Sequence, residues 1–241
     1  MYKYKRGTNG INMKGKVYAV VVAAGQGKRM AADISKQFMM LKNKPIVAHT
    51  LSVFDEHPVV EAIVLVAASR DIEYVQKNIV ERYAYKKPIA VVEGGMERQR
   101  SVYNGLTAVA ADASDIVVIH DGVRPLVTGT MIQHSIDAAS IYGAAVVGVP
   151  VKETLKRVND DGFVVSTPQR EEFWVVQTPQ AFKYGLIKEA HERAVQDGFR
   201  GTDDAVLVER LGCPVKMVKG CYSNIKITTR EDLILVREFM K

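Results

Sequence analysis

The chain has little of what would mark a secreted, metal-binding or membrane-embedded protein. Its 241 residues include only two cysteines, Cys213 and Cys221, and they stand in no Cys/His spacing that a metal site needs. Two cysteines give no basis for a disulfide framework, and a reducing cytoplasm is the expected setting. No apolar run reaches the roughly 18 residues needed to cross a bilayer, so no membrane partner is expected. Residues 1–16 lack the apolar stretch of a secretory signal. There is no internal repeat, low-complexity segment or Pro/Gly-rich linker. Excess charge is also missing where a nucleic-acid face would require it. The formal net charge is +6, but Lys3, Lys5, Arg6, Lys14 and Lys16 carry most of it, and residues 17–241 hold only +1. The basic residues 1–16 read as a disordered N-terminal extension, and no nucleic-acid partner is expected.

What is present is the composition of an ordinary globular protein, 47% hydrophobic and 25% charged. Its length suits one large domain, residues 17–241. Short apolar runs at Val17–Ala23, Ala62–Ala67, Ile89–Val92, Ile116–His120, Ala144–Val149 and Val215–Val218 alternate with helical patterns. The helices are expected near 46–54, 71–83, 99–110, 130–142, 183–197, 203–211 and 230–240. This rhythm predicts an α/β fold on a mostly parallel, Rossmann-like sheet, with strands buried on both faces. Residues 151–177 break it. Val151–Val158 alternates like a strand, Asp160-Asp161-Gly162 reads as a turn, and Phe163-Val164-Val165 as a return strand. A hairpin alone is marginal in water, so this β-arm is expected to pack on something, a second subunit or its own domain.

The most informative segment follows the first run. Val20–Ala23 leads into Ala24-Gly25-Gln26-Gly27-Lys28-Arg29-Met30, with Lys36 six residues further on. Gly25 and Gly27 let backbone N–H groups approach a ligand, and Arg29 and Lys36 place cations where a polyphosphate would lie. The spacing fits neither a P-loop, which needs glycine at Val22 and Ser or Thr at Arg29, nor a dinucleotide fingerprint, which needs a small residue at Met30.

In an open α/β sheet, ligands bind at the carboxyl ends of the strands, and the remaining polar motifs fall there. Gly94-Gly95 with Arg98 and Ser101 suits either close approach to a flat base or a helix cap. Asp121 could hold a substrate hydroxyl or Mg²⁺, with Arg124 gripping phosphate; alternatively the two pair internally and shape the turn. His120, closing a strand, reads as structural. Thr202-Asp203-Asp204 is as good an N-cap as a binding loop. Arg170, Gln177-Thr178-Pro179-Gln180 and Asn224-Ile225-Lys226 complete the set. No Ser/His/acid chain or carboxylate dyad stands out. Cations, glycines and small hydroxyls suit phosphoryl or nucleotidyl transfer, in which a protein mainly positions reactants and stabilises charge.

Together these motifs resemble the 2-C-methyl-D-erythritol 4-phosphate cytidylyltransferases of non-mevalonate isoprenoid synthesis, from Val17 to the C-terminus. The resemblance rests on Ala23–Met30, Lys36-Gln37, Gly94-Gly95, Glu97-Arg98, Ser101-Val102, His120-Asp121, Arg124-Pro125 and Pro150-Val151-Lys152. It extends through Arg170, Trp174, Gln177–Phe182, Thr202–Ala205 and Asn224–Lys226. It implies a fold of the nucleotide-diphospho-sugar transferase type and a homodimer joined by a β-arm, here about 151–176. CTP would be the co-substrate, bound by Ala23, Ala24, Gly25, Gly27, Gly94, Gly95, Arg98 and Ser101, with Mg²⁺ or another divalent cation carried mainly on its phosphates. Methylerythritol phosphate would lie between Asp121, Arg124, Thr202 and Lys226 of one subunit, with Thr154 and Arg170 supplied by a partner's arm and Thr178 a further candidate for that arm. Arg29 and Lys36 would stabilise the transition state, and Arg170 and Lys226 would position the attacking phosphate.

The chain departs from the family in Met96 (commonly Asp), Val123 (more often Ala), Glu153 (commonly Asp) and the tail 1–16. A ribitol-5-phosphate cytidylyltransferase shares the loop, the His-Asp…Arg-Pro turn and the Gln-Thr-Pro-Gln run. Thr202–Ala205 and Arg170…Phe173-Trp174 fit the methylerythritol enzyme better. A CTP-binding protein without catalysis is the alternative from another class, since fold does not dictate function; the full cationic set argues against it.

Overall fold

The computed structural model describes residues 15–25 and 35–241. The expectations for residues 1–14 and for Gln26–Met30, including Gly27 and Arg29, lie outside the described residues. Gly15 and Lys16, read from sequence as part of the extension, belong to the folded domain. The Lys16 N–H donates to Asp115 Oδ1 at 2.8 Å, and the Lys16 carbonyl accepts from Ile116.

In chain order the elements are β1 (Val17–Ala23), β2 (Met40–Leu41), β3 (Lys44–Pro45), α1 (Ile46–Glu56), β4 (Val60–Ala67), α2 (Ile72–Val75), β5 (Ile89–Glu93) and α3 (Arg98–Thr107). There follow β6 (Ile116–Asp121), α4 (Gly129–Tyr142), β7 (Ala144–Pro150), β8 (Arg157–Val158), β9 (Val164–Ser166) and β10 (Trp174–Lys183). The chain closes with α5 (Tyr184–Gln196), α6 (Ala205–Arg210), β11 (Lys216–Lys219) and α7 (Arg230–Phe239). The main sheet has the order β11-β7-β10-β6-β1-β4-β5. All its neighbours are parallel except β10, which runs antiparallel to both β6 and β7.

Period-two alternation sorts the sheet's two faces. Ala19 and Val21 of β1 pack with Leu51 and Phe54 of α1 and with Ile132 and Ile136 of α4. Val20 faces the other way, toward Val102 and Leu106 of α3, Ile187 of α5 and Leu207 of α6. Both faces are therefore covered, which is why the parallel strands read as unbroken apolar runs. A smaller cluster of Leu41, Ile46, Val123, Ile227, Leu233 and Val236 seats α7. Thr229 caps that helix in a reciprocal box with Asp232.

Every strand expected outside the arm is present, as is each expected helix, although 71–83 is irregular. There α2 widens into a π-type turn at Gln76–Val80, where the Glu81 N–H reaches the Gln76 carbonyl. Sequence reasoning missed β10. The sequence reading ends the arm at about residue 176 and places Gln177–Gln180 among the polar motifs, with no strand between the arm and α5; a proline within the run obscures one. Here the register with β7 slips between Val176 and Gln180, so the segment holding Pro179 needs no ladder N–H; the Thr178–Pro179 peptide is cis. The arm hairpin forms from β8 and β9, turning at Gly162 with φ +84°. Phe163, Val164 and Val165 on it are exposed. Among the described residues, no helix is long and apolar enough to cross a membrane.

Candidate active site

Register brings the sequence-predicted motifs together. Val22 of β1 lies opposite Asp121 at the end of β6, and Ala23 lies opposite Ala67 at the end of β4, which in turn pairs with Glu93 of β5. The loops after β1, β5 and β6 therefore leave the sheet at one level. The Gly94 N–H donates to the Ala67 carbonyl at 2.7 Å. A Cβ on Gly94 would stand 2.4 Å from the Ala24 Cβ and 2.9 Å from Ser101 Oγ, so only glycine permits this approach to the phosphate loop. Ser101 is buried and accepts from the Gly95 N–H at 3.0 Å, while its own hydroxyl donates to the Glu97 carbonyl. Gly94-Gly95 thus serves as a helix entry and lies against the phosphate loop. Gln37, in the short turn that begins at Lys36, is buried and donates to the carbonyls of Ala23 (2.8 Å) and Gly25 (3.2 Å). Its amide anchors the first residues of that loop, a role sequence reasoning did not assign.

At the end of β6 a single carboxylate is surrounded by cations. Asp121 Oδ1 accepts from Arg98 Nε at 3.0 Å, and Oδ2 faces Lys226 Nζ at 2.9 Å and Arg124 Nε at 3.6 Å. Burial alone would raise the Asp121 pKa, but Arg98, Lys226 and Arg124 outweigh it and hold the carboxyl well below its ordinary range. The second Arg98 branch donates from Nη1 to Asp204 Oδ2 at 2.7 Å. Burial would lower Arg98, yet Asp204 and Asp121 together raise it. Asp121 and Arg124 thus form the internal pair that was one of the two readings, at the end of β6. Arg124 Nη1 donates to the Asn224 carbonyl at 2.8 Å, tying the Lys226 loop to β6. Asn224, fully buried, donates in turn to the Thr178 carbonyl at 2.9 Å.

His120 is structural, as expected. Its Nε2 faces the Arg124 carbonyl at 3.2 Å, which can only accept, so Nε2 carries the proton. Nδ1 then accepts from the Thr178 hydroxyl at 3.0 Å, and that hydroxyl accepts from the Asp121 N–H at 3.1 Å. Burial pushes the His120 pKa down to about 4, so the ring is neutral at physiological pH. Thr178, a candidate for a partner's site, is instead buried beneath Asp121 of its own chain, with its hydroxyl held in this chain of hydrogen bonds.

The other predicted residues fall elsewhere. Thr202 is exposed at the rim. Asp203 caps α6 by accepting from the Val206 N–H, and Gln180 donates to its other oxygen. Asp204 is buried and links Arg98 to His191, whose Nε2 lies 3.2 Å from Asp204 Oδ1. Sequence reasoning missed His191, which carries no signal beyond its place on the buried face of α5. Thr154 and Arg170 lie exposed on the arm, and Arg170 Nη1 donates to the Lys152 carbonyl at 3.0 Å.

Asp121 does not fit the metal-ligand role considered for it, because both its oxygens face cationic nitrogens. Among the described residues, no group of three His, Cys, Asp or Glu side chains comes together to hold a metal ion.

A mostly parallel sheet with helices on both faces and cations and glycines gathered at one edge is the architecture of a nucleotidyltransferase-type α/β protein. The chain belongs to the 2-C-methyl-D-erythritol 4-phosphate cytidylyltransferase family, whose sequence profile matches residues 17–241. It is 50% identical over 227 residues to the protein of that name from Geotalea uraniireducens, covering 94% of this chain and 97% of the relative. Its identity to the one from Caldanaerobacter subterraneus is 47% over 225 residues, covering 93% and 99%. The crystal structure of 4-diphosphocytidyl-2C-methyl-D-erythritol synthase from Anaerococcus prevotii superposes with a TM-score of 0.83 at 33% identity, covering 94% of this chain and 96% of that one. The Francisella tularensis 2-C-methyl-D-erythritol 4-phosphate cytidylyltransferase structure gives 0.77 at 30%, covering 93% and 99%.

Proposed function

We propose that this protein joins CTP to 2-C-methyl-D-erythritol 4-phosphate, giving 4-diphosphocytidyl-2-C-methyl-D-erythritol and pyrophosphate. The observation that carries the reading is the Asp121 cluster. Arg98, Arg124 and Lys226 converge on one carboxylate beside the loop that follows β1. A phosphate oxygen of the acceptor attacks the α-phosphorus of CTP, forming a new P–O bond. The bond from that phosphorus to the β-phosphate oxygen breaks in line, and pyrophosphate leaves with the electron pair. Ala23, Ala24, Gly25 and Gly27 cradle the triphosphate, and Gly94, Gly95 and Ser101 shape the wall beside it, while Arg98 turns from that wall toward Asp121 and Asp204. A divalent ion carried on the triphosphate would neutralise part of its charge.

Arg29 and Lys36 act where charge develops, and such contacts are worth most in a site that excludes water. Lys226, half-exposed and already oriented by Asp121, grips the acceptor phosphate, with Arg124 behind it. Thr202 lines the rim. Arg170 and Thr154, exposed on the arm, act in a partner's site. This requires a homodimer formed through residues 151–176, which would also cover the exposed Phe163, Val164 and Val165. The free cysteines suit a cytoplasmic setting. Residues 17–241 would make up the catalytic domain, with the basic stretch before it outside the chemistry.

Pyrophosphate release with CTP and Mg²⁺ tests the reading, with methylerythritol 4-phosphate and ribitol 5-phosphate compared in parallel. Release only with the former is expected. Release only with the latter would move the substrate assignment, and silence with both would overturn the enzymatic reading.

A further inference from the structure

A line of side chains runs from α5 to the acceptor edge of the sheet, and its far end has no contact with the edge itself. His191 Nε2 lies 3.2 Å from Asp204 Oδ1, Asp204 Oδ2 accepts from Arg98 Nη1 at 2.7 Å, and Arg98 Nε donates to Asp121 Oδ1 at 3.0 Å. Asp121 Oδ2 then holds Lys226 Nζ at 2.9 Å. His191 and Asp204 are 0% and 1% exposed, so neither can exchange its partner for bulk water. Burial opposes the Asp204 charge, but Arg98 and His191 outweigh it, and the carboxyl lies below its ordinary range. An ionised carboxylate only accepts, so the His191 Nε2 carries the proton in this bond.

We infer that His191 is a positioning residue for the reaction, acting through Asp204 and Arg98 to aim Asp121 and Lys226 at the acceptor phosphate. Arg98 is the joint. It is the first residue of α3, and its fork must divide between two carboxylates that would otherwise compete for it. The His191 N–H fixes where Asp204 sits, and Asp204 fixes how far the guanidinium leans toward Asp121. Without that anchor Arg98 and Lys226 share Asp121 in a different geometry, because the pull on one oxygen sets the orientation of the other. The ring of His191 also stacks on Tyr103, with centroids 6.2 Å apart, so packing and hydrogen bonding can be separated by substitution. Among the described residues, no hydrogen bond or ion pair of these side chains reaches Ala23–Gly25, so loss of the line bears on the acceptor more than on the nucleotide.

The inference rests on reading Asp121 and Lys226 as the acceptor-phosphate site, and its test keeps the two apart. His191→Phe retains an aromatic ring without the donor, whereas His191→Gln places an amide N–H where Nε2 stood. Hydrogen exchange at the Arg98 Nε–H, followed by NMR, reads the line without any substrate. Steady-state kinetics with CTP and methylerythritol 4-phosphate read its consequence. Expected for His191→Phe are about tenfold faster Arg98 exchange and an acceptor KM raised about tenfold, the scale of one lost hydrogen bond to a charged group. His191→Gln should stay within about twofold of wild type in both, and the KM for CTP should move less than about twofold in either variant. Unchanged Arg98 exchange in His191→Phe, a glutamine variant as defective as the phenylalanine one, or a CTP KM rising in step with the acceptor KM would each overturn the inference. Should His191→Phe fail to fold, Asp204→Asn is read by the same criteria. Lys226→Ala, run alongside, must raise the acceptor KM. If it does not, the acceptor-site reading falls, while Arg98 exchange still decides whether the line exists.

Discussion

Acidification should destabilise this protein through His120 well before its carboxylates matter, and the size of the effect follows from one buried chain of hydrogen bonds. Neutral His120 donates from Nε2 to the Arg124 carbonyl and accepts at Nδ1 from Thr178. Adding a proton to Nδ1 sets two donors against each other unless the Thr178 hydroxyl turns and gives up its own donation, and it places a charge on a ring that is fully buried from water. Burial accordingly pushes the pKa down from 6.5 to about 4. Because the folded value lies below the unfolded one, this contribution is complete above pH 6.5 and is lost as pH falls toward 4. Between about pH 7.5 and about pH 5 the linkage amounts to roughly 2 kcal/mol, with a limiting slope near 1.4 kcal/mol per pH unit. His120→Asn removes the titrating group but keeps an acceptor for Thr178. Urea unfolding of both proteins at a single protein concentration should therefore give a stability difference that shrinks by about 2 kcal/mol over that interval, with all other titrations cancelling. Parallel pH profiles for the two proteins, or a His120 NMR titration centred at the ordinary histidine value, would refute the reasoning.

Three further outcomes follow from other parts of the molecule. Gly94→Ala forces a Cβ to 2.4 Å from that of Ala24. Overpacking of this kind costs about 1–3 kcal/mol, and the KM for CTP should rise more than that for the acceptor; equal KM values for mutant and wild type would show that the loop does not hold the nucleotide. Chains carrying Arg170→Ala and chains carrying Lys226→Ala should each be nearly inactive alone. On mixing they should regain partial activity if Arg170 serves the partner's site, and no rescue would mean that each chain completes its own. Thr229→Ala removes one half of the α7 capping box and should lower stability by roughly 0.5–2 kcal/mol without altering kcat, measured by thermal unfolding beside the pyrophosphate assay.

The strand–helix rhythm was legible because it is written in local composition. Val17–Ala23 and Ile116–Asp121 are buried on both faces, so burial appears as an unbroken apolar run. The β10 strand was not legible. Its first residues are exposed on the arm, its middle carries Pro179, and its place between β6 and β7 is a long-range pairing with no local mark. Glycine and cation motifs pointed to one edge of the sheet, and Gly94, Asp121, Arg124 and Lys226 do lie along it. Which of them pair was hidden. Arg98 was read as part of the nucleotide wall, and only register and helix placement reveal that it bridges Asp121 and Asp204.

By itself, the sequence determined the α/β class and the family, because each depends on residue type at short spacing or on an ordered set of such motifs. Tertiary structure alone decided the antiparallel insertion of β10, the neutral His120–Thr178–Asp121 chain and the reach of His191 toward the acceptor edge. Those depend on burial and on which distant carboxylate comes within 3 Å of which cation. In water such pairs contribute little, and enclosure in the folded protein gives them their energy and direction.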